Sequence, residues 1–227
     1  MEEEIDAVAK NRATEILRIL QDNFSIPRWA SSTRDPFQTL IITVLSQATA
    51  DKNTARAFEN LSRRFSITPE ALAEASVEEI EKAIRVGGLY RNKSRVIKAI
   101  SRVILEQFNG SLDFIHSLPL GEARKILLSI LGVGPKTADV VLLFCAGKPT
   151  IPIDTHVYRV SKRLGLAPPK ADYEEVRRAL EDLYPPEDYL HVHLLLISLG
   201  RKYCKARKPL CKPCPVNMLC PSKCIED

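Results

Sequence analysis

Apolar residues recur at the spacing of an amphipathic helix along almost the whole chain, and the alternation of a half-buried strand is nearly absent. The pattern predicts helices over Ala13–Leu20, Thr39–Leu45, Ala57–Phe65, Val77–Ile84, Ser94–Phe108, Glu122–Leu131, Thr137–Ala146, Val157–Leu164 and Tyr173–Leu183. A further apolar run, His191–Leu199, stops at Gly200. Local signals mark several starts: Asp172 with Glu175 forms a capping box, and Thr68-Pro69 sets proline at a first helical position. Connections are short and carry Gly87-Gly88 or Pro168-Pro169. The fold class is therefore all-α, with some ten helices and no repeat of solenoid length.

A chain of 227 residues, 45% of them hydrophobic, can bury one large core or two smaller ones. Its net charge of +5 says little until its distribution is read. Arg201, Lys202, Lys205, Arg207, Lys208 and Lys212 form a run with no acid, and so do Arg85, Arg91, Lys93, Arg95 and Lys98. Either run alone reads as a solvated face; two of them favour a polyanionic partner. The acidic start Met1-Glu-Glu-Glu-Ile-Asp6 is unlike a signal peptide, and no apolar stretch reaches the ~18 residues of a membrane span. An intracellular, cytoplasmic protein is expected, in a compartment where clustered cysteines are read as metal ligands before disulfides.

The most distinctive local feature follows Leu131. Gly132-Val133-Gly134 joins two helical patterns, Pro135 begins the second, and Gly147 ends it. Such a turn permits positive φ, brings another backbone close, and can face its N–H groups and a helix N-terminus toward a phosphate. A plain helix corner has the same glycine spacing. Lys136 adds chemistry: the dipole's positive end and partial burial disfavour its ammonium form, which suits an amine that attacks carbon and forms a Schiff base. A phosphate-binding surface lysine is the rival reading.

Ile151-Pro152-Ile153-Asp154-Thr155-His156 is an extended apolar approach ending in an acid before a helix. Asp154 suits an N-cap, and a carboxylate facing Lys136 could also stabilise developing positive charge or accept a proton. His156 is either a hydrogen-bond donor in that pocket or a packed helix residue.

Cys204, Cys211, Cys214 and Cys220 fall in a C-x6-C-x2-C-x5-C pattern. Four thiolates this close suit tetrahedral zinc or a [4Fe–4S] cluster, and the single close pair favours the cluster. Pro209, Pro213, Pro215 and Pro221 stiffen the segment without building helix or strand, so bound metal is expected to organise it. Cys145 reads as core and Cys224 as a spare thiol.

Taken together, Leu131-Gly-Val-Gly-Pro-Lys-Thr-Ala-Asp-Val-Val141, Ile153-Asp-Thr-His-Val-Tyr-Arg-Val160 and Gly200-Arg with the cysteine pattern resemble the endonuclease III family of helix-hairpin-helix glycosylases. Leu45-Ser-Gln-Ala-Thr49 and Gly88-Leu-Tyr-Arg-Asn-Lys93 agree, and the resemblance spans roughly residues 10 to 221. It implies a six-helix barrel over 29–148 and a cluster domain built from 1–28 with 149–227, with DNA across the groove between them. It also implies base-excision repair: a DNA glycosylase and abasic-site lyase that removes oxidised pyrimidines and nicks by β-elimination.

By the same resemblance Lys136 and Asp154 are catalytic, and Gln47 and Leu89 fill the gap left by a flipped base. Gly132, Gly134, Lys205, Arg207 and Lys208 contact DNA, and Cys204, Cys211, Cys214 and Cys220 hold a [4Fe–4S] cluster. The implied partner is duplex DNA with damaged bases or abasic sites, bound by a monomer in the cytoplasm at the nucleoid, with no membrane. Pro135 stands where the family often has arginine or another polar residue, and the acid after Gln47 is shifted by one, so no role passes to Asp51. Two other functions fit part of the pattern: a thymine or uracil mismatch glycosylase, whose members commonly lack the hairpin lysine, and a non-catalytic iron–sulfur DNA-binding module.

Overall fold

The computed structural model describes residues 2–26 and 35–223, with side chains from residue 7 onward; Cys224 lies outside the described residues. The described residues hold α-helices, short 3₁₀ turns and no strand, so the all-α expectation is met. Two compact units divide the chain, one of Met1–Ser32 with Pro149–Asp227 and one of Thr33–Lys148. No helix among the described residues is long and apolar enough to cross a membrane.

The unit 33–148 runs α2 (Pro36–Ser46), α3 (Asp51–Arg64), α4 (Pro69–Glu74), α5 (Val77–Ile84), α6 (Tyr90–Phe108), α7 (Phe114–Ser117), α8 (Leu120–Ser129) and α9 (Pro135–Ala146). Starts are set by local chemistry. Asp35 accepts the Gln38 N–H at 2.6 Å ahead of Pro36, and Thr68 caps α4 ahead of Pro69. Ser76 and Glu79 form a capping box that the sequence reading passed over. The apolar stripes of these helices close on one core, including Leu40, Ile41, Val44, Leu61, Ile80, Ile97, Ile100, Ile104, Leu127, Val141 and Leu142. Short α4 and α7 were below the length at which periodicity can be read.

The other unit contains α1 (Glu2–Asn23), α10 (Thr155–Arg163), α11 (Tyr173–Leu183) and α12 (Tyr189–Lys202), followed by an irregular loop with one 3₁₀ turn at Asn217–Leu219. Helix α12 packs on α10 and α1, and α11 packs on both of these partners, burying Ile16, Leu20, Val157, Val160, Val176, Leu180, Leu195 and Leu199. The expected helix end at Gly200 is not found. Gly200 sits inside α12, where an added Cβ would lie 2.9 Å from His156 Cβ and 3.2 Å from Val160 Cγ2. It is a close-approach residue between α10 and α12.

Candidate active site and metal centre

The helix–turn–helix at 120–146 is built as its glycines and proline dictate. Helix α8 ends at Ser129 because Ile130 turns to extended φ/ψ, and the buried Val133 donates its N–H to Ile130 O at 3.0 Å. Gly132 has φ of +92°, and a Cβ there would meet Val96 Cγ1 on α6 at 2.8 Å. Glycine is thus required on two counts. Gly134 departs from expectation: its φ is −91° and a Cβ would meet nothing within 4 Å. It faces open space at the N-cap of α9. Leu131, the predicted end of the first hairpin helix, lies beyond it. It is 72% exposed, since the helix stops two residues before it and the helical register that would bury it no longer applies.

Lys136 is the second residue of α9, half-buried, in a first turn closed by Thr137 and Ala138 donating to Gly134 O at 3.0 Å. One turn on, Asp139 is fully buried, and Arg124 of α8 clasps it with Nε at 2.7 Å and Nη2 at 3.1 Å. This bidentate pair clips the two hairpin helices together beneath the lysine.

Gln47 is exposed at the C-cap of α2, and Leu89 is 62% exposed at the N-cap of α6 with φ of +46°. Their turns are tied together within the unit. Thr49 Oγ1 donates to Gly87 O, and Lys93 Nζ donates to Leu45 O at 2.8 Å, Thr49 Oγ1 at 2.6 Å and Gly87 O at 2.9 Å. Lys93 is 3% exposed, which removes it from the basic surface run expected over 85–98. Arg85, Arg91 and Arg95 of that run remain exposed.

Asp154 belongs to the other unit. Buried Ile151-Pro152-Ile153 leads to it, held by Ile151 N–H on Glu181 Oε1 at 3.0 Å and Ile153 N–H on the Tyr173 hydroxyl at 3.2 Å. Asp154 Oδ1 accepts the N–H groups of both His156 and Val157 at 2.8 Å, so the acid caps α10 as its position suggested. All of that capping falls on one oxygen, and no described residue donates to Oδ2. His156 packs on Gly200, with Nδ1 3.1 Å from Arg159 Nη2.

Cys204, Cys211, Cys214 and Cys220 line one cavity of about 270 Å³ with Arg163, Leu164, Leu199 and Tyr203. None is in a disulfide. Burial, and after it the charges of the neighbouring cysteines, push the Cys214 and Cys220 thiols above the ordinary thiol range. A cationic centre between them would relieve both effects. Among the described residues no His, Cys, Asp or Glu group forms a site for a single metal ion.

The loop carrying these thiols is not left for metal alone to organise, as the sequence suggested. Arg159 donates to Cys204 O at 2.9 Å and Gly200 O at 3.1 Å, and Arg163 to Lys205 O at 2.7 Å and Ala206 O at 3.1 Å. Arg12 of α1 reaches Leu164 O and, at 2.7 Å, Leu219 O. Lys205, Arg207 and Lys208 stand exposed on the same loop.

Sequence reasoning passed over Arg12, Arg159, Arg163 and Lys93. For Lys93 a signal was present: with Ile97, Ile100 and Ile104 it continues an apolar stripe at helical spacing.

Comparison with known proteins gives these features a lineage. An endonuclease III of Sulfolobus acidocaldarius is 38% identical over 204 residues, 89% of each chain. That of Escherichia coli K12 is 37% identical over 214 residues, covering 94% of this chain and 97% of the relative. A solved structure of a trapped endonuclease III–DNA covalent intermediate, in an estranged-adenine complex, superposes with a TM-score of 0.82 at 34% identity, over 94% and 96% of the two chains. The family model matches residues 41–186, which contain the hairpin with Lys136, the capped Asp154 and the tied turns of Gln47 and Leu89, so the chain belongs to the HhH-GPD superfamily of base excision DNA repair proteins.

Proposed function

We propose that this chain is a bifunctional DNA glycosylase and abasic-site lyase of base excision repair, acting on duplex DNA that carries oxidised pyrimidines or abasic sites. The observation that carries the reading is Lys136, half-buried in the first turn of α9 at the hairpin, in a chain whose relative was solved as a covalent complex with DNA. The target nucleotide leaves the stack, because its C1′ is out of reach inside a duplex. Lys136 Nζ, as the neutral amine, forms a bond to C1′ while the glycosidic bond breaks, and the bond's electron pair departs with the base. Asp154 Oδ2, unengaged in capping, stabilises the positive charge that develops on the sugar. Opening of the sugar ring gives the Schiff base. Loss of a C2′ proton then expels the 3′ phosphate, and hydrolysis returns the amine.

The four thiols fit a [4Fe–4S] cluster better than a single ion: they line a cavity of about 270 Å³, form no single-ion site among the described residues, and the half-buried Cys214 and Cys220 thiols gain from a shared cation. Bound there, the cluster would cross-link the loop bearing Lys205, Arg207 and Lys208, which serve as phosphate contacts; it takes part in no step. Gly134, where an added Cβ would meet nothing within 4 Å, leaves open space at the hairpin turn for the backbone of the duplex.

Borohydride reduction during incubation with an abasic duplex tests the reading. The wild type should yield a covalent adduct and a nick, and Lys136→Ala should lose both while binding the duplex within about threefold. Undiminished adduct from the alanine variant would overturn the role of Lys136. On a duplex with thymine or uracil opposite guanine, base release without a nick by the wild type would favour a mismatch glycosylase.

A further inference from the structure

A buried lysine is costly unless its protons are all used, and Lys93 uses them in an unusual pattern. Its ammonium has three donors, and three acceptors receive them: Leu45 O, Thr49 Oγ1 and Gly87 O. It pairs with no carboxylate among the described residues, and burial pulls it below the usual lysine range. An apolar residue would fill this position, at the head of the Ile97–Ile100–Ile104 stripe, without that cost. What the ammonium provides is connection. Leu45 and Thr49 flank Gln47 by two residues on each side, and Gly87 precedes Leu89 by two. The backbone N–H of Lys93 also donates to Leu89 O at 3.0 Å. Both turns hold a non-glycine residue in the left-handed region, Ala48 at φ of +50° and Leu89 at +46°. Such a conformation persists only where neighbours impose it.

We propose that Lys93 is a positioning residue that locks the Gln47 and Leu89 turns into one preformed two-pronged wedge for opening the duplex. This rests on the glycosylase reading above. A flexible wedge would lose conformational freedom on entering the stack; a pinned one has lost it already, so more of its contact energy goes into opposing restacking.

The test uses Lys93→Met, which keeps the stem and removes the donors, with Thr49→Val and Thr49→Ser as milder partners in the full-length protein. Hydrogen exchange should show the amides of Gln47, Thr49, Asn92 and Lys93 losing protection in Lys93→Met while α9 keeps its own; unchanged protection at these four overturns the pin. Excision of thymine glycol from a paired duplex should fall roughly tenfold, and from a bulge holding the same lesion less than about threefold. Equal losses on both would assign Lys93 to general stability and overturn the proposal. Combining Lys93→Met with Leu89→Ala should cost clearly less than the product of the two single losses, since one of the two pinned prongs is already gone, whereas fully multiplying losses would mean the lysine does not act through Leu89. Thr49→Val should reproduce a weaker form of the paired-duplex defect, and Thr49→Ser should not; the reverse order counts against the proposal. If the wild type neither excises a base nor forms an adduct, the glycosylase reading fails and the wedge role with it, while the exchange measurement still decides whether the pin exists.

Discussion

Replacing Asp154 by Asn separates the two roles that one carboxylate combines. Oδ1 carries both capping bonds, at 2.8 Å each, and Oδ2 carries none from the described residues. An asparagine can keep its carbonyl oxygen at the Oδ1 position and accept the same two N–H groups, which sets a neutral amide donor where Oδ2 stood. The cap survives and the negative charge does not. Asp154→Asn should therefore change stability by less than about 0.5 kcal/mol, because Asn and Asp cap almost equally well. Asp154→Ala loses both bonds and should cost about 1 kcal/mol, a fall in Tm of about 2–4 °C for a chain of this size. Activity should sort differently. Both variants lack the anion proposed to stabilise the sugar's developing charge, so both should lose about 10²–10³ in single-turnover base release. Thermal melts and excision of a thymine-glycol duplex, run on the same preparations, give the two readouts. Near-wild-type release by Asp154→Asn would reduce Asp154 to a cap; an Asn variant as unstable as the Ala variant would refute the assignment of capping to one oxygen.

The hairpin and the cysteine cavity carry further outcomes. Gly132→Ala forces a Cβ to 2.8 Å from Val96 at φ of +92° and should destabilise the protein by about 1–3 kcal/mol in chemical denaturation. Gly134→Ala, at φ of −91° with open space, should cost no more than a few tenths, yet weaken duplex binding if that space admits a phosphate backbone. Anaerobically prepared wild type should be yellow-brown with about four iron and four sulfide atoms per chain. Cys214→Ser should lose the colour and Cys145→Ser, whose sulfur sits in the core of α9, should keep it; stoichiometric zinc without sulfide would refute the cluster.

What the sequence determined by itself is what neighbours along the chain decide. Helical periodicity, Asp172 with Glu175, Pro69 and Pro135 at first turns, and Gly147 as a stop at φ of +60° are all contests between adjacent residues, and each stands where the pattern placed it. Asp154 as a cap was legible for the same reason. Tertiary structure decided the rest. Leu131 was placed at the end of a helix whose register stopped two residues earlier, and Gly200 was read as a helix stop although it marks where α10 presses against α12. Gly132 and Gly134 look alike in sequence, and only the proximity of Val96 makes one of them irreplaceable. Lys93 was counted with its basic neighbours because charge is visible in a sequence and its acceptors are not: Leu45 lies 48 residues away and becomes a partner only when α2 and α6 pack. Arg12, Arg159 and Arg163 belong to the same class. Each donates to backbone carbonyls far along the chain, and a carbonyl carries no residue-specific sign that folding will bring a guanidinium to it.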